Sequence, residues 1–142
     1  MLFRSGGRAV MAFFGEVAAF AKDHGADEAM KPYVVPLSTA LGHLQQATTW
    51  LMQNAMMKPD NAGAAATDYM KLFGLVAFAY MWARMAKVAS DKIAGGDARP
   101  YLTTKLVTGR FFMERMLPET SVHLARIQTG SATTMELAAE AF

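Results

Sequence analysis

Hydrophobic positions recur at helical spacing along most of this chain. Val10, Phe13, Phe14, Val17 and Ala21 follow an i, i+3, i+4, i+7 rhythm, which predicts a first helix over about Arg8–Lys22 with one apolar face. Asp23-His24-Gly25 ends it, with Gly25 in the position that favours a left-handed glycine. Asp27 then reads as an N-cap, with Glu28 favourable in the first turn. Pro32 and Pro36 restrict the backbone of the next segment, so continuous helix is expected from near Tyr33–Leu37. From there Leu37, Leu41, Leu44, Thr48, Leu51 and Ala55 are spaced 4-3-4-3-4, the seam of helices that pack at about 20°. The pattern stops at Lys58-Pro59.

Lys58–Thr67 reads as a loop by its Pro-Asp-Asn-Ala-Gly content, with room for one helical turn at Ala62–Ala66. A third helix is predicted from Thr67 or Asp68 to Ala94. Tyr69, Leu72, Phe73, Val76, Tyr80, Ala83 and Lys87 trace one face of it. Leu75, Phe78, Met81, Trp82 and Met85 extend the apolar surface nearly all round, the mark of a central helix. Its middle, Leu72–Ala83, is twelve residues without a charge between Lys71 and Arg84. That run rises about 18 Å as a helix, short of the roughly 20 apolar residues that cross a bilayer. It therefore reads as a core helix. Arg84, Lys87 and Lys92 suit the C-terminal end of the dipole, and Gly95-Gly96 terminates it.

Pro100 opens a fourth helix, in which Leu102, Leu106, Gly109, Met113 and Met116 repeat the 4-3 spacing. Gly109 is small where a partner helix is expected to come close. Pro118 should kink or break this helix, and Ser121–Gln128 continues it. Gly130-Ser131 forms a stop, and Thr134–Ala141 is predicted as a short last helix. No segment alternates like a strand and no fixed repeat is visible. The expectation is an all-α fold, an antiparallel four-helix bundle with a short extra C-terminal helix.

Composition sharpens this picture. A chain of 142 residues is expected to form one domain, here over residues 8–142. Hydrophobic residues make up 53% and charged ones 18%, below the usual quarter or so, so some apolar surface is expected to meet a partner. Twelve methionines favour adaptable helix contacts. A net charge of +2 from scattered Lys and Arg gives no basis for nucleic-acid binding. With no cysteine, disulfides, thiolate metal sites and cysteine nucleophiles are excluded. No signal-peptide pattern is present, and a cytoplasmic location is expected. Met1–Gly7 lies outside every periodic pattern and is read as a non-native or linker segment. Its Leu2–Ser5 tetrad is what the end of a common sequencing adapter would encode, so the natural chain is expected to extend upstream.

Candidate chemistry is sparse. His24, His43 and His123 lie on different segments, none with a Glu or His at ligand spacing, and each is read as a surface or interface residue. Glu114 with Arg110 four residues before it reads as a helix-surface ion pair. Ser121 and His123 are two apart, which on a helix turns them away from each other. No glycine-rich phosphate loop occurs. Tyr69, Tyr80 and Trp82 with their neighbouring methionines read as core, with an acyl or flavin pocket as the alternative. No catalytic, cofactor-binding or metal-binding residue is assigned.

Three stretches together resemble a known family. Gly6–Gly15 (GGRAVMAFFG), Tyr69–Ala94 with its AFAYMWARMA centre, and Gly109–Phe142 with its FFMERMLPE segment and closing AEAF are similar to the C-terminal extension of acyl-CoA dehydrogenases. The likeness is to the 3-methylmercaptopropionyl-CoA dehydrogenase-like subgroup. The resemblance implies a parent enzyme that oxidises an acyl-CoA to the 2,3-enoyl-CoA with FAD as hydride acceptor. It also implies that the flavin, the acyl-CoA pocket and the catalytic glutamate belong to upstream domains. That glutamate sits in a Tyr-Glu-Gly-Thr-type motif absent here, so no catalytic residue carries over, and FAD is not expected on this fragment alone. The expected partners are the upstream dehydrogenase domains and a second subunit of a homodimer.

The alternative is an autonomous helical module that binds a protein partner or a membrane surface. Membrane contact is not expected, because no helix opposes a Lys/Arg-rich face to a Trp/Leu face. A small enzyme in its own right is argued against by the lack of convergent polar groups. If the third helix is the core, Val76→Asp places an unpaired charge there and unfolds the chain; circular dichroism should show lost helicity, and an unchanged melting point would contradict the assignment.

Overall fold

The computed structural model describes residues 7–141; the expectation for Met1–Gly7 lies outside them but for Gly7. Among the described residues there are five α-helices: α1 (Arg8–His24), α2 (Lys31–Asn54), α3 (Asp60–Ala94), α4 (Pro100–Phe111) and α5 (Thr120–Thr129). No strand occurs among the described residues. Between α4 and α5 lie a π-helical turn, Phe112–Met116, and a 3-10 turn, Leu117–Glu119.

Side-chain contacts define the topology. Phe13 on α1 stacks on Phe73 of α3 at 5.0 Å, and Phe20 meets Tyr80 edge-on at 5.5 Å, so these two helices run the same way. Tyr69 on α3 lies beside Thr48 of α2, and Asn61 beside Asn54, so α2 runs opposite to α3. From Phe112 against Phe78 to His123 against Asp68 and Ser131 against Asn61, numbers rise on the α4–α5 limb as they fall on α3. The result is the expected up-down-up-down bundle, with α4 and α5 together forming its fourth limb.

The core follows the predicted seams with one change of register. Leu37, Leu41, Leu44, Thr48 and Leu51 are all buried on α2, and Val10, Phe14 and Val17 on α1. Leu72, Val76, Ala79 and Ala83 of α3 have no exposed surface. On the fourth limb Leu102, Gly109 and Met113 are buried, but Leu117 replaces Met116, which is exposed. Pro118 has no N–H to donate to the Glu114 carbonyl. The helix widens by one residue instead, the Leu117 N–H reaching back to Phe112 O, and the apolar face moves on by one.

Several boundaries differ from expectation. Lys58–Thr67 is mostly helix, because α3 begins at Asp60. Four alanines outweigh Gly63 there, Asp60 suits the first turn, and Ala65 packs inward. With that start α3 is 35 residues long, and it is the one described helix long and apolar enough to cross a membrane. Length thus does not exclude spanning, as the twelve-residue run suggested; the zero exposure of its inner face makes it a core helix. Its apolar girdle is nonetheless not fully covered, since Phe78, Met81 and Met85 are exposed.

Helix α2 begins at Lys31, with Pro32 in the first turn and Pro36 tolerated inside. Tyr33, Val34 and Leu37 are buried around Pro36, and their packing offsets the hydrogen bond it lacks. Gly25 is right-handed at φ −66°, not left-handed. Asp27 does not cap the helix; it opens the preceding turn, its side chain accepting the Ala29 N–H at 3.0 Å. Thr134–Ala141 forms turns ending in a single 3-10 turn, Ala139–Ala141, rather than a helix. Met135 and Leu137 are exposed, so nothing packs against the segment to hold so short a helix.

Gly95-Gly96 ends α3 as expected. Gly96 adopts φ 93°, and the Asp97 N–H closes the turn onto Lys92 O. The Arg99 guanidinium, followed by its backbone N–H, holds the half-buried Asp97 carboxyl down at about 2. Because that value is lowered by folding, the interaction contributes above the ordinary carboxylate range and is lost as pH falls through about 2. NMR titration of Arg99→Gln should show the Asp97 midpoint rising towards the ordinary range; no movement would refute the pairing.

At Gly109 a Cβ would stand 3.0 Å from the Tyr33 ring and 3.4 Å from Trp82. The Tyr33 hydroxyl donates to Leu106 O at 2.7 Å, so the ring has little room to yield. Gly109→Val should cost about 1–3 kcal/mol in denaturant unfolding. Gly42→Ala meets open space and should be neutral or stabilising by up to about 1 kcal/mol.

Candidate functional site

The three histidines fare differently. His24 lies half-buried at the end of α1 with its ring 4.6 Å from Phe20. His43 on α2 is half-buried, and its Nδ1 lies 2.9 Å from Thr120 Oγ1. His123 on α5 is no surface residue. It is 1% exposed, its Nδ1 donating to Asp68 Oδ1 of α3 at 2.7 Å. Glu119 stands 3.5 Å from the other ring nitrogen, and Arg126 lies 3.6 Å from the same Asp68 oxygen. This cluster holds α5 onto α3, and with so little of the ring exposed no substrate can reach it. No group of three potential metal ligands occurs among the described residues.

The Arg110–Glu114 pair does not form among the described ion pairs. The π turn after Phe111 changes the angle between the two positions. Arg110 instead acts on Tyr33, where burial pushes the hydroxyl up and the nearby guanidinium opposes it.

Tyr80 is core. Its hydroxyl donates to Glu16 Oε1 at 2.8 Å, and burial, then that bond, pushes its pKa up. Tyr69 is buried, its hydroxyl 2.8 Å from Thr48 Oγ1, which donates in turn to Leu44 O. Burial raises the Tyr69 hydroxyl and the Thr48 contact counters it. Trp82 is half-buried beneath Lys105 at 5.6 Å. These three do not converge on one pocket.

What the surface offers is apolar. Met30 and Met113 are the buried methionines among the described residues, while most of the others are exposed. A cleft of about 700 Å³ opens where the start of α1 meets the end of α2, lined by Val10, Met11, Leu51, Met52, Met56 and Tyr69. A neighbouring hollow of about 570 Å³ shares Leu51, Ala62 and Tyr69 and runs on to Met70 and Phe73. A groove of about 500 Å³ lies between α3 and α4, with Met81, Met85, Val88 and Leu102 as its floor and Arg84, Lys92 and Lys105 at its rim. Such surfaces bind by shape and burial; none brings together an acid, a base and a nucleophile. The helical spacing of Met81, Met85 and Val88 was the available signal for the groove. Its second wall depended on the α4 register.

No curated protein matches this chain. The family model described as "Acetyl-CoA dehydrogenase C-terminal like" matches residues 13–138, from the middle of α1 to the C-terminal turns. With nearly the whole bundle inside that match, the chain belongs to the acetyl-CoA dehydrogenase C-terminal-like family.

Proposed function

We propose that this chain is the non-catalytic helical accessory domain of an FAD-dependent acyl-CoA dehydrogenase. The parent would oxidise an acyl-CoA to the 2,3-enoyl-CoA, as members of the 3-methylmercaptopropionyl-CoA dehydrogenase-like subgroup do, in the cytoplasm and as a homodimer. The domain packs on the upstream catalytic domains or on the partner subunit. The family match over residues 13–138 carries the reading. The exposed methionine-rich clefts support docking over catalysis.

The lining of the largest cleft described above argues against FAD binding there. The 700 Å³ cleft is lined mainly by Met, Leu, Val and Ala, and the Thr48 and Tyr69 hydroxyls within it are bonded to each other. A flavin dinucleotide needs a cradle of N–H donors for its pyrophosphate. Thus no step of the reaction is assigned to residues of this chain.

The purified 142-residue chain should show no flavin absorbance after incubation with FAD and no acyl-CoA oxidation with an artificial electron acceptor. Stoichiometric FAD with turnover would overturn the accessory reading. In the source DNA, the frame upstream should encode a Tyr-Glu-Gly-Thr-type segment within a few dozen residues.

A further inference from the structure

We infer that the C-terminal peptide Ala132–Ala141 of one copy docks in the α3–α4 groove of a second copy, in a reciprocal two-fold pair. The inference stands on charge, pattern and reach, independently of the accessory-domain reading.

Phe78, Met81, Met85, Val88 and Lys92 recur at three and four residues and form one stripe along α3. Most of it is exposed, Phe78 at 63%. Beside it Tyr101 and Leu102 of α4 complete the apolar groove. The carboxylates nearby are already engaged, Asp91 by Lys87 and Asp97 by Arg99. Arg84, Lys92 and Lys105 join no contact ion pair among the described residues, and Lys92 acts on Asp97 only at longer range, so the rim keeps an excess of positive charge. Arg84 and Lys105 lie over the Tyr80 and Trp82 rings, which fix them in place. The fitting occupant is an apolar peptide carrying carboxylates.

The chain carries one. After Arg126 no Lys or Arg occurs. Met135 and Leu137, 57% and 62% exposed, alternate with Glu136, and Glu140 comes three residues later. Both glutamates are exposed and join no ion pair among the described residues. The peptide thus has apolar side chains without a pocket and carboxylates without a cation. The groove has the converse.

Reach decides between one copy and two. Ser131 is fixed to Asn61 through its N–H at 3.0 Å and its hydroxyl at 2.9 Å. From Asn61 the α3 axis rises about 30 Å to Met81 and about 46 Å to Lys92. Ten residues fully extended span at most about 35 Å, so within one copy the peptide arrives at the near edge with nothing left to fill the groove. Side by side and antiparallel, two copies bring each tail to the other's groove. A two-fold pair closes on itself, and once one tail is seated the second binds at high effective concentration.

Sedimentation equilibrium of the 142-residue chain should show a dimer. Deleting residues after Thr133 should leave a folded monomer with its helicity by circular dichroism retained and a melting point that no longer depends on concentration. Glu136→Lys with Glu140→Lys should weaken pairing about tenfold or more. Mixing that chain with a Lys92→Glu, Lys105→Glu chain should restore a heterodimer, a readout that holds even if truncation harms folding. A monomer at every concentration, or a dimer indifferent to tail and charge reversal, would overturn the proposal and leave the groove to another occupant such as an upstream domain.

Discussion

Pro118 cannot donate a hydrogen bond to the carbonyl four residues before it, and the second half of this molecule is built on that missing donor. The chain does not break there. It takes one residue more into the turn at Phe112–Met116 and tightens at Leu117–Glu119 before resuming as α5. The added residue puts Leu117 in the core and Met116 outside. It also sets the rotation at which α5 meets its neighbours, with Thr120 against His43, His123 against Asp68 and Ile127 buried. An uninterrupted helix would present a different face to α2 and α3, and the tie across Asp68 would be lost.

Around this the bundle divides its labour. The inner face of α3 is closed by small and branched side chains, among them Val76, Ala79 and Ala83, which let α2 and the fourth limb approach closely. Its outer face keeps large, soft side chains in solvent. Methionine serves less as core filler here than as surface, and a flexible thioether surface adapts to whatever covers it. One helix thus carries the core on one face and an adaptable apolar surface on the other.

Much of this was legible in the residues. The α2 seam is buried as read from Leu37 to Leu51, with Ala55 half-buried past the helix end, and the α1 face is buried at Val10, Phe14 and Val17 with Phe13 and Ala21 half-buried beside them, because strict heptad-like spacing leaves one way to bury leucines. The early start of α3 was hidden by Pro59, Asn61 and Gly63, turn-formers that here act as a helix start, a side-chain tie and an ordinary helical residue. The C-terminal segment has helical composition without a partner surface, and local propensity alone does not hold eight residues. The His123–Asp68 pair was within reach: the two stand equally far in sequence from the Gly95-Gly96 turn, as an antiparallel pair must. Its burial was not, because it depends on the extra residue at the π turn.

Asn61 joins three parts of the chain with one side chain. Its Nδ2 donates to Asn54 O of α2, and its Oδ1 accepts both bonds from Ser131, just past Gly130, whose φ of 73° turns the chain towards it. Mechanically this is a load path. Tension on the C-terminal peptide divides at Ser131 between the covalent path into α5 and the Asn61 hydrogen bonds into the α2–α3 corner. Part of any such load therefore bypasses the last turn of α5. Fraying at the C-terminus must break the two Ser131 bonds to Asn61 before it can reach α5.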